Sequence, residues 1–180
     1  SAIFAVSNAG AVARLAPQAV YNRVQDEFFV VWEQAYSDSD HDIYASRLDS
    51  RGVRLGGDIP LATSGAFDSL PVVAFNPGNN QYLVAWQYED GVNYGDIAAL
   101  HLNATGGVIA SDMIAGGNDD QRRPAVALAP ETQVFLVAWD HRIYATEDVQ
   151  IYAQRVDASG EHLGGYLILC NAAYNQYRPR

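Results

Sequence analysis

One hundred and eighty residues, 49% apolar and 18% charged, are enough for one folded domain with a sizeable core and do not read as a disordered chain. A net charge of -10, with arginine supplying the whole basic side, speaks against nucleic acid and anionic lipid as partners, because phosphate binding relies on clustered Lys and Arg. No apolar run approaches the roughly 20 residues that cross a bilayer, so no membrane insertion is expected, and the opening SAIFAVSNAG lacks the basic and long apolar regions of an intact signal peptide.

In chain order, residues 1 to 16 resemble the end of a repeat, with a spare strand and the loop that follows it. From Pro17 onward a pattern recurs with a period of about 54 residues, marked by Pro17, Pro71, Pro124 and Pro179. This divides the chain into repeats at 17–70, 71–123 and 124–178. Each repeat predicts four short strands. The first follows the proline (QAVYN, VVAFN, AVALA), which is expected at the strand entry where its missing N–H does least harm. The second is FFVVWEQA, YLVAWQYE or FLVAWDHR, the third DIYASRLD, DIAALHLN or VQIYAQRVD, and the fourth IPLAT, MIAGG or LILCN. NPGN is a hairpin turn, and DSRG, NATG and DASG are polar turns closing on a glycine that takes positive φ without strain. No segment has helical periodicity.

A four-stranded unit repeated at this spacing predicts an all-β fold of β-propeller-type blades. The second strand is apolar on both faces, as expected of a sheet sandwiched between two others. Trp32, Trp86 and Trp139 recur in phase and read as core rather than as a sugar platform. The small residues before them, Val31, Ala85 and Ala138, leave room for a neighbouring blade. A β-trefoil, which also has three four-stranded repeats, is the alternative fold. Three blades are too few to close a propeller, so either self-association or additional blades from other polypeptide are expected.

The pattern LVVW, DIYxxR[LV]DxxG and PxVA[YF]N resembles the tandem repeats of bacterial secreted and surface β-propeller proteins, over nearly the whole chain. That resemblance implies a propeller that is extracellular or on the cell surface, often within a longer chain. The S-x-D-x-G-x-T-W box of sialidases and the complete D-x-D-G calcium loop of integrin-type blades are missing, so those activities are not implied.

Positions that differ between repeats are where a site would be built. The residue after each tryptophan is Glu33, Gln87 or Asp140, and the third strands carry Arg47, His101 or Arg155 at matched places. Acid accompanies arginine twice, which predicts Glu33–Arg47 and Asp140–Arg155 contacts within a blade. Asp38, Asp40 and Asp42 have the alternate spacing of a calcium loop and are the metal-ligand candidates, although His41 interrupts them and the turn glycine is absent. No cofactor other than calcium is indicated. Asn103-Ala104-Thr105 matches a glycosylation sequon but reads as a turn. Cys170, the single cysteine, reads as a core residue. His41, His101, His141 and His162 share no repeat phase, and no nucleophile motif is present, so no catalytic residue is assigned. The sequence thus favours a non-enzymatic module binding a protein or glycan through its loops. The alternatives are a polysaccharide-acting hydrolase with acids at the central channel and a structural segment of a larger surface protein.

Overall fold

The computed structural model describes residues 5–6, 12–91, 94–146 and 148–170. Among them every regular element is a strand. β1 (Ala13–Asn22), β2 (Glu27–Ala35), β3 (His41–Asp49) and β4 (Ile59–Ala62) form the first unit. β5 (Phe67–Asn76), β6 (Gln81–Glu89), β7 (Asp96–Asn103) and β8 (Val108–Ala115) form the second. β9 (Asp120–Ala129), β10 (Val134–Ile143), β11 (Asp148–Val156) and β12 (Leu167–Cys170) form the third. Each unit is an antiparallel meander of four strands in sequence order, here called blades 1, 2 and 3. Blades 1 and 2 are joined by one parallel bridge from His41 to Phe67, and blade 3 is a separate sheet.

The blades stack face to face, with one core in each interval. Phe29, Val31, Ile43 and Ala45 of blade 1 meet Tyr82, Val84, Trp86 and Leu100 of blade 2. On the other face of blade 2, Leu83, Ala85, Ile97 and Ala99 meet Phe135, Val137 and Trp139 of blade 3. Alternate residues of β6 therefore serve different cores, which is why YLVAW has no polar face. Val31 and Ala85 sit in the intervals they were expected to keep open. Trp32, Trp86 and Trp139 are all buried, as the repeat predicts. The trefoil alternative is excluded, because the cores lie between stacked four-stranded blades and not inside one barrel. Among the described residues the three blades do not close into a ring.

Turn chemistry repeats as faithfully as the cores. Asp49, Asn103 and Asp157 each accept from two backbone N–H groups across the turn between third and fourth strands. Asn103 Oδ1 also accepts from Thr105 Oγ1 at 2.8 Å, so the sequon triplet serves as turn chemistry. Gly106 closes its turn at φ 88°. A Cβ there would also lie 2.8 Å from Ile59 Cδ1 of blade 1, so that side chain would have to shift as well.

The prolines are placed differently from expectation. Pro17, Pro71 and Pro124 lie inside β1, β5 and β9, not at their entries. A bulge that takes in each proline and the residue before it shifts the register there. The residues before the prolines, Ala16, Leu70 and Arg123, have φ of 46°, 52° and 54°. A bulge leaves one residue outside the ladder, so a proline without an N–H is accommodated mid-strand there. The spare strand expected within residues 1 to 16 lies largely outside the described residues, apart from the stretch at Ala13 that belongs to β1, and Pro179 lies outside them as well.

Candidate functional site

The three first strands converge. Ala16 and Gln18 of β1, Leu70 to Val73 of β5 and Arg123 to Val126 of β9 line a shared cavity of about 710 Å3. All three blades contribute side chains to it. Its wall is mainly aliphatic. Arg123 is the single charged residue among those that line it, and Gln18 the single amide.

The bulges set the cavity's rim, and those of β5 and β9 are each held by the preceding blade. Glu33 Oε2 accepts the backbone N–H of Leu70 at 3.0 Å. Gln87 Oε1 accepts the backbone N–H of Arg123 at 3.3 Å. The residue after the tryptophan in blades 1 and 2 therefore reaches across to the next blade's left-handed residue, satisfying a donor that the bulge removes from its ladder. A left-handed Leu or Arg is uncommon and is maintained only where its surroundings determine it.

This corrects both expected ion pairs. Glu33 lies opposite Ile43, whereas Arg47 lies opposite Phe29, too far along the strand to meet it. Glu33 instead has His41 Nδ1 at 2.6 Å from Oε1. Arg47 makes a bidentate pair with Glu27, at 2.9 Å for each bond. In blade 3, Asp140 pairs with Arg123, so the cavity's one cation is neutralised from its own blade. Arg155 donates to the carbonyl of Leu163 at 3.0 Å. His101, at the place of those arginines, is 1% exposed and lies edge-on to Phe135 at 6.2 Å. Burial pushes its pKa down, keeping it neutral between blades.

The three candidate calcium ligands are not gathered. Asp38 and Asp40 lie in the loop between β2 and β3, where the Asp40 carbonyl accepts from the N–H groups of Tyr36 and Ser37. Asp42 belongs to β3, opposite Gln34, and is buried, which raises its pKa, with Asp40 adding to the rise. Among the described residues no group of three or more His, Cys, Asp or Glu is arranged to hold a metal ion.

One carboxyl escaped the sequence reading. Asp68 of β5 is 1% exposed, and burial raises its pKa to about 6. Its Oδ1 accepts from Trp86 Nε1 at 2.6 Å and its Oδ2 from Ser64 Oγ at 3.4 Å. It lies in the wedge between blades 1 and 2, away from the shared cavity. The signal was available, since the position three before each proline holds Arg14, Asp68 or Gln121 and so differs in every repeat.

No family model matches the sequence, and no curated protein does. Solved structures do. An α-L-arabinofuranosidase from Lactobacillus brevis superposes with a TM-score of 0.56 at 12% identity, over 82% of this chain and 51% of that one. A thermostable family-43 glycoside hydrolase superposes with a TM-score of 0.59 at 9% identity, over 96% of this chain and 63% of that one. The family-43 hydrolases are five-bladed β-propellers. At such identities the likeness concerns the fold, and it agrees with a stack of propeller-like blades. The chain spans between half and two thirds of the length of these two structures.

Proposed function

We propose that this chain is part of a β-propeller that acts on polysaccharide as a glycoside hydrolase. The observation that carries the reading is the shared blade arrangement with two glycoside hydrolases, one of them matched over 96% of this chain. The cavity where the first strands converge is the proposed substrate site, because groups from several blades meet there. Arg123 and Gln18 are its polar contacts. In this proposal further blades, from other polypeptide or from more of the same chain, complete the ring outside the cytoplasm.

A second reading, a module that binds a glycan or protein without cleaving it, is favoured by a specific observation. Most glycosidases need two carboxyl groups roughly 5 to 10 Å apart across the scissile bond. No Asp or Glu is among the described residues that line the cavity, and the nearby Glu33 and Asp140 are each already paired. Under the hydrolase reading the missing carboxylates come from the further blades. Reducing-sugar release from arabinan, xylan and other polysaccharides, run beside a glycan array on the same preparation, separates the two. Release supports the hydrolase. Binding without release supports the module. Neither result leaves the structural-segment alternative.

A further inference from the structure

Directly across from each tryptophan, the third strand presents Tyr44, Ala98 or Tyr152. In blade 1 the Tyr44 ring stacks near-parallel to Trp32, with centroids 6.2 Å apart at 17°. In blade 3 Tyr152 lies 6.4 Å from Trp139 and packs against the core shared with blade 2. Blade 2 has alanine, so Trp86 lacks the ring that its counterparts have. The consequence appears in the facing outer strands. In the wedge sealed by Tyr152, Ile114 and Ala115 are 0% and 2% exposed. Their counterparts in the other wedge, Leu61 and Ala62, are only half-buried. A cavity of about 410 Å3 occupies that wedge, walled by Leu61, Trp86 and Ala98, with Ser64, Asp68, Ser111 and Asp112 as its polar lining.

We propose that this wedge is a binding site for a small phenolic molecule, an aromatic ring bearing a hydroxyl. The ring replaces the tyrosine that blade 2 lacks, and its hydroxyl hydrogen-bonds the Asp68 carboxyl. Each part of this match is on the structure. Trp86 presents the same indole position that takes a tyrosyl neighbour in blades 1 and 3. A mainly apolar wedge with room for a ring gains by burying aromatic surface against Leu61, Trp86 and Ala98. Asp68 retains acceptor capacity beyond its bonds to Trp86 and Ser64, since a carboxylate accepts about four hydrogen bonds. A neutral sugar matches less of the site, because Leu61, Ala62, Trp86 and Leu100 offer its hydroxyls no partner and it is chiefly Ser64, Asp68, Ser111 and Asp112 that do. The inference is independent of the hydrolase reading.

The test uses 4-methylphenol, the tyrosine side chain as a free molecule, with toluene and xylose as comparisons. Calorimetry and the Trp86 indole N–H resonance report binding to the whole chain. The expected result is saturable binding of 4-methylphenol that shifts this resonance, with toluene weaker by about tenfold for the lost hydrogen bond and xylose without effect. Ala98→Tyr should abolish binding, because it restores the ring of the other blades. Ala98→Ser, which leaves the space, should retain binding and serves as the control should Ala98→Tyr fold poorly. An unperturbed Trp86 resonance at millimolar 4-methylphenol would overturn the proposal. So would equal affinity for toluene, or undiminished binding by a folded Ala98→Tyr.

Discussion

Asp68→Asn isolates the energetic cost of the one carboxyl buried beneath Trp86. In the folded chain Asp68 has a pKa of about 6 against an ordinary value of 3.8, and desolvation is the main cause. The folded state therefore binds the proton more tightly than the unfolded state does. Wild type is accordingly most stable at low pH in respect of this group, and loses stability as the pH rises from about 4 to about 6. A carboxyl moved that far carries about 3 kcal/mol, an upper figure for a group beside an open wedge. Asparagine keeps an oxygen for the Trp86 N–H and never ionises, so the variant should equal wild type near pH 4 and exceed it by up to about 3 kcal/mol at pH 7. Urea unfolding of both proteins at intervals from pH 4 to pH 8 measures this, and every other titrating group cancels in the difference. A difference that does not change with pH would refute the argument that burial holds this proton.

Three further outcomes follow from the blade contacts and the loop. Glu33→Gln should be nearly neutral in thermal unfolding, because Gln87 already performs the same cross-blade bond, whereas Glu33→Ala should cost about 1–3 kcal/mol by leaving the Leu70 N–H without its acceptor. Trp139→Ala should cost about 3–5 kcal/mol in urea unfolding, since the side chain is wholly buried between blades 2 and 3. Calcium titration by calorimetry should give no saturable heat, and a heat abolished by Asp40→Asn would restore Asp38, Asp40 and Asp42 as a calcium loop.

The blades were legible because the features that make them are local. Strand length, polar turns closing on glycine and in-phase tryptophans each depend on a few neighbouring residues, and three copies reinforce one another. The cross-blade clamps were not legible. Pairing Glu33 with Arg47 treats a blade as self-contained, whereas the carboxylate answers a backbone donor freed by a bulge thirty-odd residues further on. A bulge has no side-chain signature of its own, and the proline that marks it here reads equally well as a strand entry. Asp68 was passed over because its chemistry comes from burial beneath Trp86, a contact across strands. The alanine at 98 was visible in the sequence as a break in the DIY pattern, but its meaning needed the ring geometry of the two intact blades.

The claim on which the rest depends is that each blade grips the next at a strained residue before a proline. Backbone hydrogen exchange at Leu70 and Arg123, followed by NMR on the uniformly 15N-labelled chain, reads those contacts one by one. Both residues lie at bulges where a ladder partner is missing, so without the clamps their amides would exchange like those of loops. The account predicts exchange slowed to the level of the neighbouring β5 and β9 amides, and a selective loss of that protection at Leu70 in Glu33→Ala. Loop-like exchange at both positions in the wild-type chain would contradict it.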